Sequence, residues 1–75
     1  MRLSDLQNKD IVDIKTGERL GIIIDAEINN EGSIEKIYVY NKKGLLGRLN
    51  SEEKKILWKQ VKKIGFDVIL VSIND

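Results

Sequence analysis

Apolar and polar positions alternate along most of the chain with the two-residue period of a β-strand. This pattern predicts five strands, at residues 11–14, 20–28, 34–40, 54–58 and 68–73. The second is the longest, and its alternate apolar positions are expected to form one buried face. These positions are Leu20, Ile22, Ile24, Ala26 and Ile28.

Short polar turns separate the strands, and Gly17 can supply the positive φ that a tight hairpin turn requires. Lys59–Lys63 is too short for a stable helix and is predicted to be a helical turn. Ser4 is expected to cap another such turn, with Leu3 and Leu6 covering an open end of the fold. Because no crossover helix is predicted, the strands should pair antiparallel and close, which removes exposed edges. The prediction is a single all-β domain over residues 1–75, a small antiparallel SH3-like barrel.

Composition removes several classes of protein from consideration. The 75 residues include no Cys and no His, so neither a disulfide scaffold nor the usual structural zinc site is available. No metal site and no cofactor are predicted. The N-terminus lacks a signal-peptide pattern, and no apolar run approaches the length that spans a bilayer. We expect a cytoplasmic protein without membrane insertion.

Charge is unevenly distributed along the chain. Residues 1–41 carry a net charge of −3, whereas residues 42–63 carry +6. A basic block of this kind is either a solvated face or a surface that attracts RNA phosphates or an acidic protein. The basic patch that we predict consists of Lys54, Lys55, Lys59, Lys62 and Lys63.

A second candidate surface combines two tyrosines with the loop that follows them. Leucines between basic residues suit a protein partner or self-association as a homodimer, or else they fill the barrel. The tyrosines, two residues apart on one strand, either cap a barrel face, lie in a dimer contact or stack nucleic-acid bases. The predicted partner-binding surface comprises Tyr38, Tyr40, Lys42, Lys43, Leu45, Leu46, Arg48 and Leu49.

No catalytic constellation is evident. Without His, no serine of the chain can join a Ser-His-Asp triad. Asp25 interrupts an apolar run and is the best single acid-base candidate, but a carboxylate on the solvent side of a half-buried strand is the simpler explanation. We therefore expect a protein that is not an enzyme.

Two stretches resemble a known family. Leu3–Leu6, Lys9–Val12 and Thr16–Gly21 look like the start of a PRC-barrel domain, named for the photosynthetic reaction centre H subunit. Ile56–Gly65 and Asp67–Val71 are similar to the tail of the short, stand-alone YlmC/YmxH family of sporulation proteins. The resemblance spans essentially the whole chain.

The resemblance implies an adaptor and no catalytic residues. Related PRC-barrels occur in a reaction-centre subunit and in a 16S rRNA maturation factor that contacts a ribosomal protein. This chain departs from the family pattern at Leu57, where proline is usual, and near Leu45, where aromatics are usual. We expect a non-catalytic, protein-binding module associated with sporulation; the alternative is an RNA- or ribosome-associated module that uses residues 42–63.

Overall fold

The computed structural model describes residues 1–41 and 52–73, and most of these residues lie in strands. The all-β prediction is thereby confirmed. The elements in chain order are helix α1 (Leu3–Gln7), β1 (Asp10–Asp13), β2 (Arg19–Ile28), β3 (Ile34–Asn41), β4 (Glu52–Leu57), a 3-10 helix (Trp58–Gln60), β5 (Val61–Ile64) and β6 (Val68–Val71).

The six strands form one sheet in the order β4-β3-β2-β1-β6-β5. Neighbours pair antiparallel except β1 and β6, which run parallel from Asp10 opposite Val68 to Asp13 opposite Val71. The expectation of purely antiparallel pairing is therefore wrong for this pair. Closure is also wrong, because β4 and β5 lie at the two ends of the strand order and no pairing among the described residues joins them. Hydrophobic alternation does not specify which distant strands pair. The parallel pairing and the open sheet could therefore not be predicted from it.

The chain between β4 and β6 contains a strand that we did not predict. The helical turn expected over Lys59–Lys63 is confined to the 3-10 helix, and β5 begins immediately after it. Half-buried Val61 and Ile64 lie opposite Val71 and Ile69 of β6. Two lysines separate these apolar positions, and this interrupts the alternation that would have indicated a strand.

Helix α1 lies at the N-terminal end and buries Leu6, while Leu3 is exposed. The cap predicted at Ser4 is wrong, because Ser4 lies inside the helix. The backbone N–H of Arg2 instead donates a hydrogen bond of 2.9 Å to the Asp5 carboxylate. No helix in the described part of the chain has the length and apolar character needed to cross a membrane.

One apolar core lies on the inner side of the sheet. Each of the six strands except β5, together with α1, contributes at least one buried apolar side chain. These core residues are Leu6, Ile11, Leu20, Ile23, Ile37, Val39, Ile56, Ile69 and Val71. Trp58 packs against this core from the 3-10 helix and is partly buried.

Strand β2 is irregular at two places. Leu20 is an extra residue relative to β1, and Ile24 is an extra residue relative to β3. A bulge of this kind breaks the alternation of side chains between the two faces. The residues that turn inward are therefore Leu20, Ile23 and Ala26, while the exposed ones are Ile22, Ile24 and Ile28. The single buried face predicted for this strand is wrong.

The same strand serves two partners in succession. Residues 19–21 pair with β1, and residues 22–28 pair with β3. Gly21 stands at the changeover with a φ of +133°, where L side chains are disfavoured. A Cβ atom at Gly21 would overlap the backbone carbonyl group of Tyr40. A glycine at this position lets β3 approach β2 closely.

Candidate functional site

The exposed side of β2, β3 and β4 carries the described tyrosines and forms the candidate site. Residues directly opposite each other on adjacent strands share a face. We call this side the outer face and define it by Ile24 and by three cross-strand rows. The rows are Ile22, Tyr40 and Glu53; Asp25, Tyr38 and Lys55; and Glu27, Lys36 and Leu57.

Apolar side chains occupy one end of the outer face. Ile22 and Ile24 are 38% and 42% exposed, and Tyr40 lies directly across from Ile22. Both tyrosines of the chain are half-buried on this face. These side chains form an accessible apolar patch. Pairing between the strands holds the backbone that carries them.

A polar network lies next to this patch. The Tyr38 hydroxyl donates a hydrogen bond of 2.9 Å to Oε1 of Glu27, and Lys36 Nζ lies 3.3 Å from Glu27 Oε2. The bond from Tyr38, with the Lys36 ammonium, lowers the pKa of the Glu27 carboxyl below its usual value of 4.5. The same hydrogen bond to a carboxylate raises the pKa of Tyr38 above 10.0. The three side chains orient one another at the surface.

The predicted partner-binding surface is described only in part. Tyr38 and Tyr40 lie on the same face of β3, as predicted. The other residues assigned to that surface lie outside the described residues. They are Lys42, Lys43, Leu45, Leu46, Arg48 and Leu49.

Ile22 and Ile24 were missed by the sequence prediction. Alternation placed them in the core, and the bulges turn them outward. The available signal was Gly21, because a glycine inside a strand pattern often marks a bulge or a close backbone approach.

The predicted basic patch is distributed over two strands and the 3-10 helix between them. Lys55 is exposed on β4 opposite Tyr38, whereas Lys54 is half-buried opposite Val39. Lys59 lies in the 3-10 helix, and Lys62 and Lys63 are exposed on β5. The five lysines therefore lie on both edge strands and on the 3-10 helix between them.

Two aspartates differ sharply in their surroundings. Asp25 is exposed, and its carboxylate accepts a hydrogen bond of 2.8 Å from the backbone N–H of Ala26. Asp13 is buried and accepts bonds from the backbone N–H of Lys15 at 3.0 Å and from the Thr16 hydroxyl at 3.2 Å. Asp13 therefore organises the turn before β2, a role that alternation alone did not indicate.

Comparison with known proteins gives the family. A profile described as "PRC-barrel domain" matches residues 1–75. The chain is 38% identical to uncharacterized protein YmxH of Bacillus subtilis (strain 168), a match covering all of this chain and 92% of YmxH. It is 37% identical to probable sporulation protein YlmC of the same organism, with 97% of this chain and 93% of YlmC covered.

A third relative is an uncharacterized protein of Clostridium acetobutylicum, 34% identical over 93% of this chain and 82% of the relative. These matches extend over the outer face, the 3-10 helix and both edge strands, and they confirm the resemblance seen in the sequence. The chain belongs to the PRC-barrel domain family.

Proposed function

We propose that this protein is a non-catalytic module that binds a partner protein through its outer face. The observation that carries the proposal is the exposure of Ile22 and Ile24 beside Tyr38 and Tyr40 on paired strands. An apolar centre with a charged rim is the usual anatomy of a protein-binding surface, and tyrosine is enriched there.

The charge of the outer face favours a protein over a nucleic acid. Asp25, Glu27 and Glu53 share this face with Lys36 and Lys55, so the described residues carry no excess of positive charge there. A surface that binds phosphates needs a clear excess of positive charge.

The setting of this function is inferred from a relative. The name of YlmC, a probable sporulation protein, supports a role linked to sporulation, and we further propose that the module acts in the cytoplasm of a spore-forming bacterium. Self-association as a homodimer through the same face is one form that this binding could take. Leu45 and Leu46 lie outside the described residues and remain part of the proposal, and their joint substitution by aspartate would extend the test below.

Paired substitutions on the outer face test the proposal. Ile22→Ser combined with Ile24→Ser removes the two isoleucines of the apolar patch and leaves the buried residues of β2 in place. The matched control is Ile14→Ser, because Ile14 is 50% exposed but follows β1 and is not part of the strands that form this face. Tagged wild type and both variants would be cross-linked and purified from sporulating and growing cells, and the bound proteins quantified by mass spectrometry.

We expect a specific protein to be retained by wild type and Ile14→Ser and lost from the double variant. Sedimentation of the purified chain would show whether that protein is a second copy. Equal retention of the bound protein by all three forms would contradict protein binding at this face. Retention by wild type that nuclease treatment abolishes would also contradict it. Amide NMR spectra would confirm that both variants keep the fold.

A further inference from the structure

The edge of the sheet at β5 combines a side with no described strand partner, an apolar depression and exposed lysines, and none of these belongs to the outer face. Strand β5 is last in the strand order and pairs with β6, and no other described strand lies on its second side. An edge of this kind presents backbone N–H and C=O groups to an incoming strand. The backbone of β5 is therefore available as a template.

A shallow depression of about 330 Å³ lies beside this edge. Its apolar lining comes from half-buried Val61 and Ile64 of β5 and from Trp58, whose ring also packs against the core. Lys62 and Lys63 complete the lining. The depression suits one apolar side chain with charged groups close by.

The surroundings of this edge are positively charged. Lys59 is exposed in the 3-10 helix that precedes β5, and Lys63 is exposed on β5 itself. The chain contains no acidic residue between Glu53 and Asp67. An approaching carboxylate therefore meets the exposed ammonium groups of Lys59 and Lys63.

These cations also select among possible strands. Lysines on an edge strand disfavour pairing with a second copy of the same edge, because like charges would be brought together. They favour an acidic strand for the same reason. We propose that the β5 edge binds an extended acidic peptide segment of a partner protein, with one apolar side chain of that segment seated in the depression.

The local aromatic residues favour a peptide over RNA at this edge. Single-stranded nucleic acids stack successive bases on several aromatic rings, and Trp58 is the one aromatic residue that lines this depression. The exposed ring of Phe66 contributes to a different depression, which Asp5 and Asp67 also line. A strand template next to an apolar depression matches the backbone and side chains of an extended peptide.

A direct binding assay tests this proposal on the intact protein. The probe is a short fluorescein-labelled peptide in which glutamate alternates with valine, and binding is followed by fluorescence anisotropy. Comparison probes carry lysine in place of glutamate, or a central proline that removes a backbone donor. Lys59→Glu combined with Lys63→Glu is the test variant. Lys15→Glu is the control, since Lys15 is an exposed lysine between β1 and β2 that belongs neither to the β5 edge nor to the outer face.

We expect the acidic peptide to bind wild type and Lys15→Glu alike, and the double variant to bind at least about tenfold more weakly because like charges replace opposite ones. The lysine and proline probes should bind poorly. Amide NMR shifts should cluster on residues 61–64. The proposal is overturned by absence of binding, by equal weakening in Lys15→Glu, by shifts centred on β4, or by tighter binding of a uridine-rich RNA oligonucleotide than of the peptide.

Discussion

Gly21 links a single residue to the path of β2 through the sheet. Its φ of +133° disfavours any L side chain, and the Tyr40 carbonyl group occupies the position of a Cβ atom. Gly17 differs, because its φ is +75° but no atom lies within 4 Å of a Cβ built there. A comparison of substitutions at Gly17 and Gly21 therefore distinguishes the cost of backbone strain from the cost of steric overlap.

We expect Gly17→Ala to lower the free energy of unfolding by about 1–2 kcal/mol, the cost of the left-handed conformation. Gly21→Ala should lower it by about 1–3 kcal/mol more, because overlap with backbone cannot be relieved by a rotamer change. Urea unfolding of the two variants and wild type measures both losses. Equal losses in the two variants would show that β3 moves away from β2 without cost.

The Glu27 and Tyr38 pair predicts how the surface titrates. The pKa of Glu27 is lowered, so its contribution to stability is present above the usual 4.5 and is lost as pH falls through the lowered value. The pKa of Tyr38 is raised, so its contribution is complete below 10.0 and is lost as pH rises through the raised value. Both contributions are present at neutral pH.

Tyr38→Phe removes the hydrogen bond and should raise the pKa of Glu27 toward 4.5 without reaching it, because Lys36 remains. The control is Tyr40→Phe, which leaves both partners of Glu27 in place. Carbon NMR of the Glu27 carboxyl as a function of pH gives the midpoint in each protein. An unchanged midpoint in Tyr38→Phe would mean that the hydroxyl does not bond Glu27 in solution.

At the scale of elements, the strands differ in how many partners protect them. Strand β1 pairs with β2 on one side and β6 on the other, and Ile11 at its centre is fully buried. The Asp13 amide donates a hydrogen bond of 2.9 Å to the carbonyl of Glu18, and the Ile14 amide donates one of the same length to Val71. The edge strands β4 and β5 have one described partner each.

We expect amides of β1 to exchange with deuterium more slowly than amides of β5, since opening β1 requires two ladders to break. NMR-detected exchange at neutral pH measures the rates residue by residue. Within β6, which is also paired on both sides, rates should resemble those of β1. Uniform rates across β1, β5 and β6 would indicate that the chain opens as a whole before any edge frays.

Local signals located most elements but not their faces. The predicted strands at residues 11–14, 20–28, 34–40 and 68–73 correspond to β1, β2, β3 and β6 because each alternates or carries a β-branched run between turn residues. Strand β5 was missed because two lysines separate its apolar ends. The faces of β2 could not be predicted, since a bulge is defined by the neighbouring strand and only Gly21 indicated it.

For the whole molecule, sequence reasoning reached the family and the strand content but not the strand order. Parallel pairing of β1 with β6 joins the first and last strands, and no local pattern specifies contacts across that separation. The candidate site was half predicted: Tyr38 and Tyr40 are on the outer face, while Ile22 and Ile24 were placed in the core. The lysines of the predicted basic patch lie on both edge strands and on the 3-10 helix between them, and no local pattern in the sequence shows which strands are edges.

Strand β2 also has a bearing on cooperativity. Its first three residues complete the half of the sheet that contains β1, β6 and β5, and its remaining residues complete the half that contains β3 and β4. If either half of the sheet unfolded, the part of β2 that pairs in that half would lose its hydrogen-bonding partners. Through one continuous strand, a small open sheet can melt as a single unit, in the all-or-none manner usual for domains of this size.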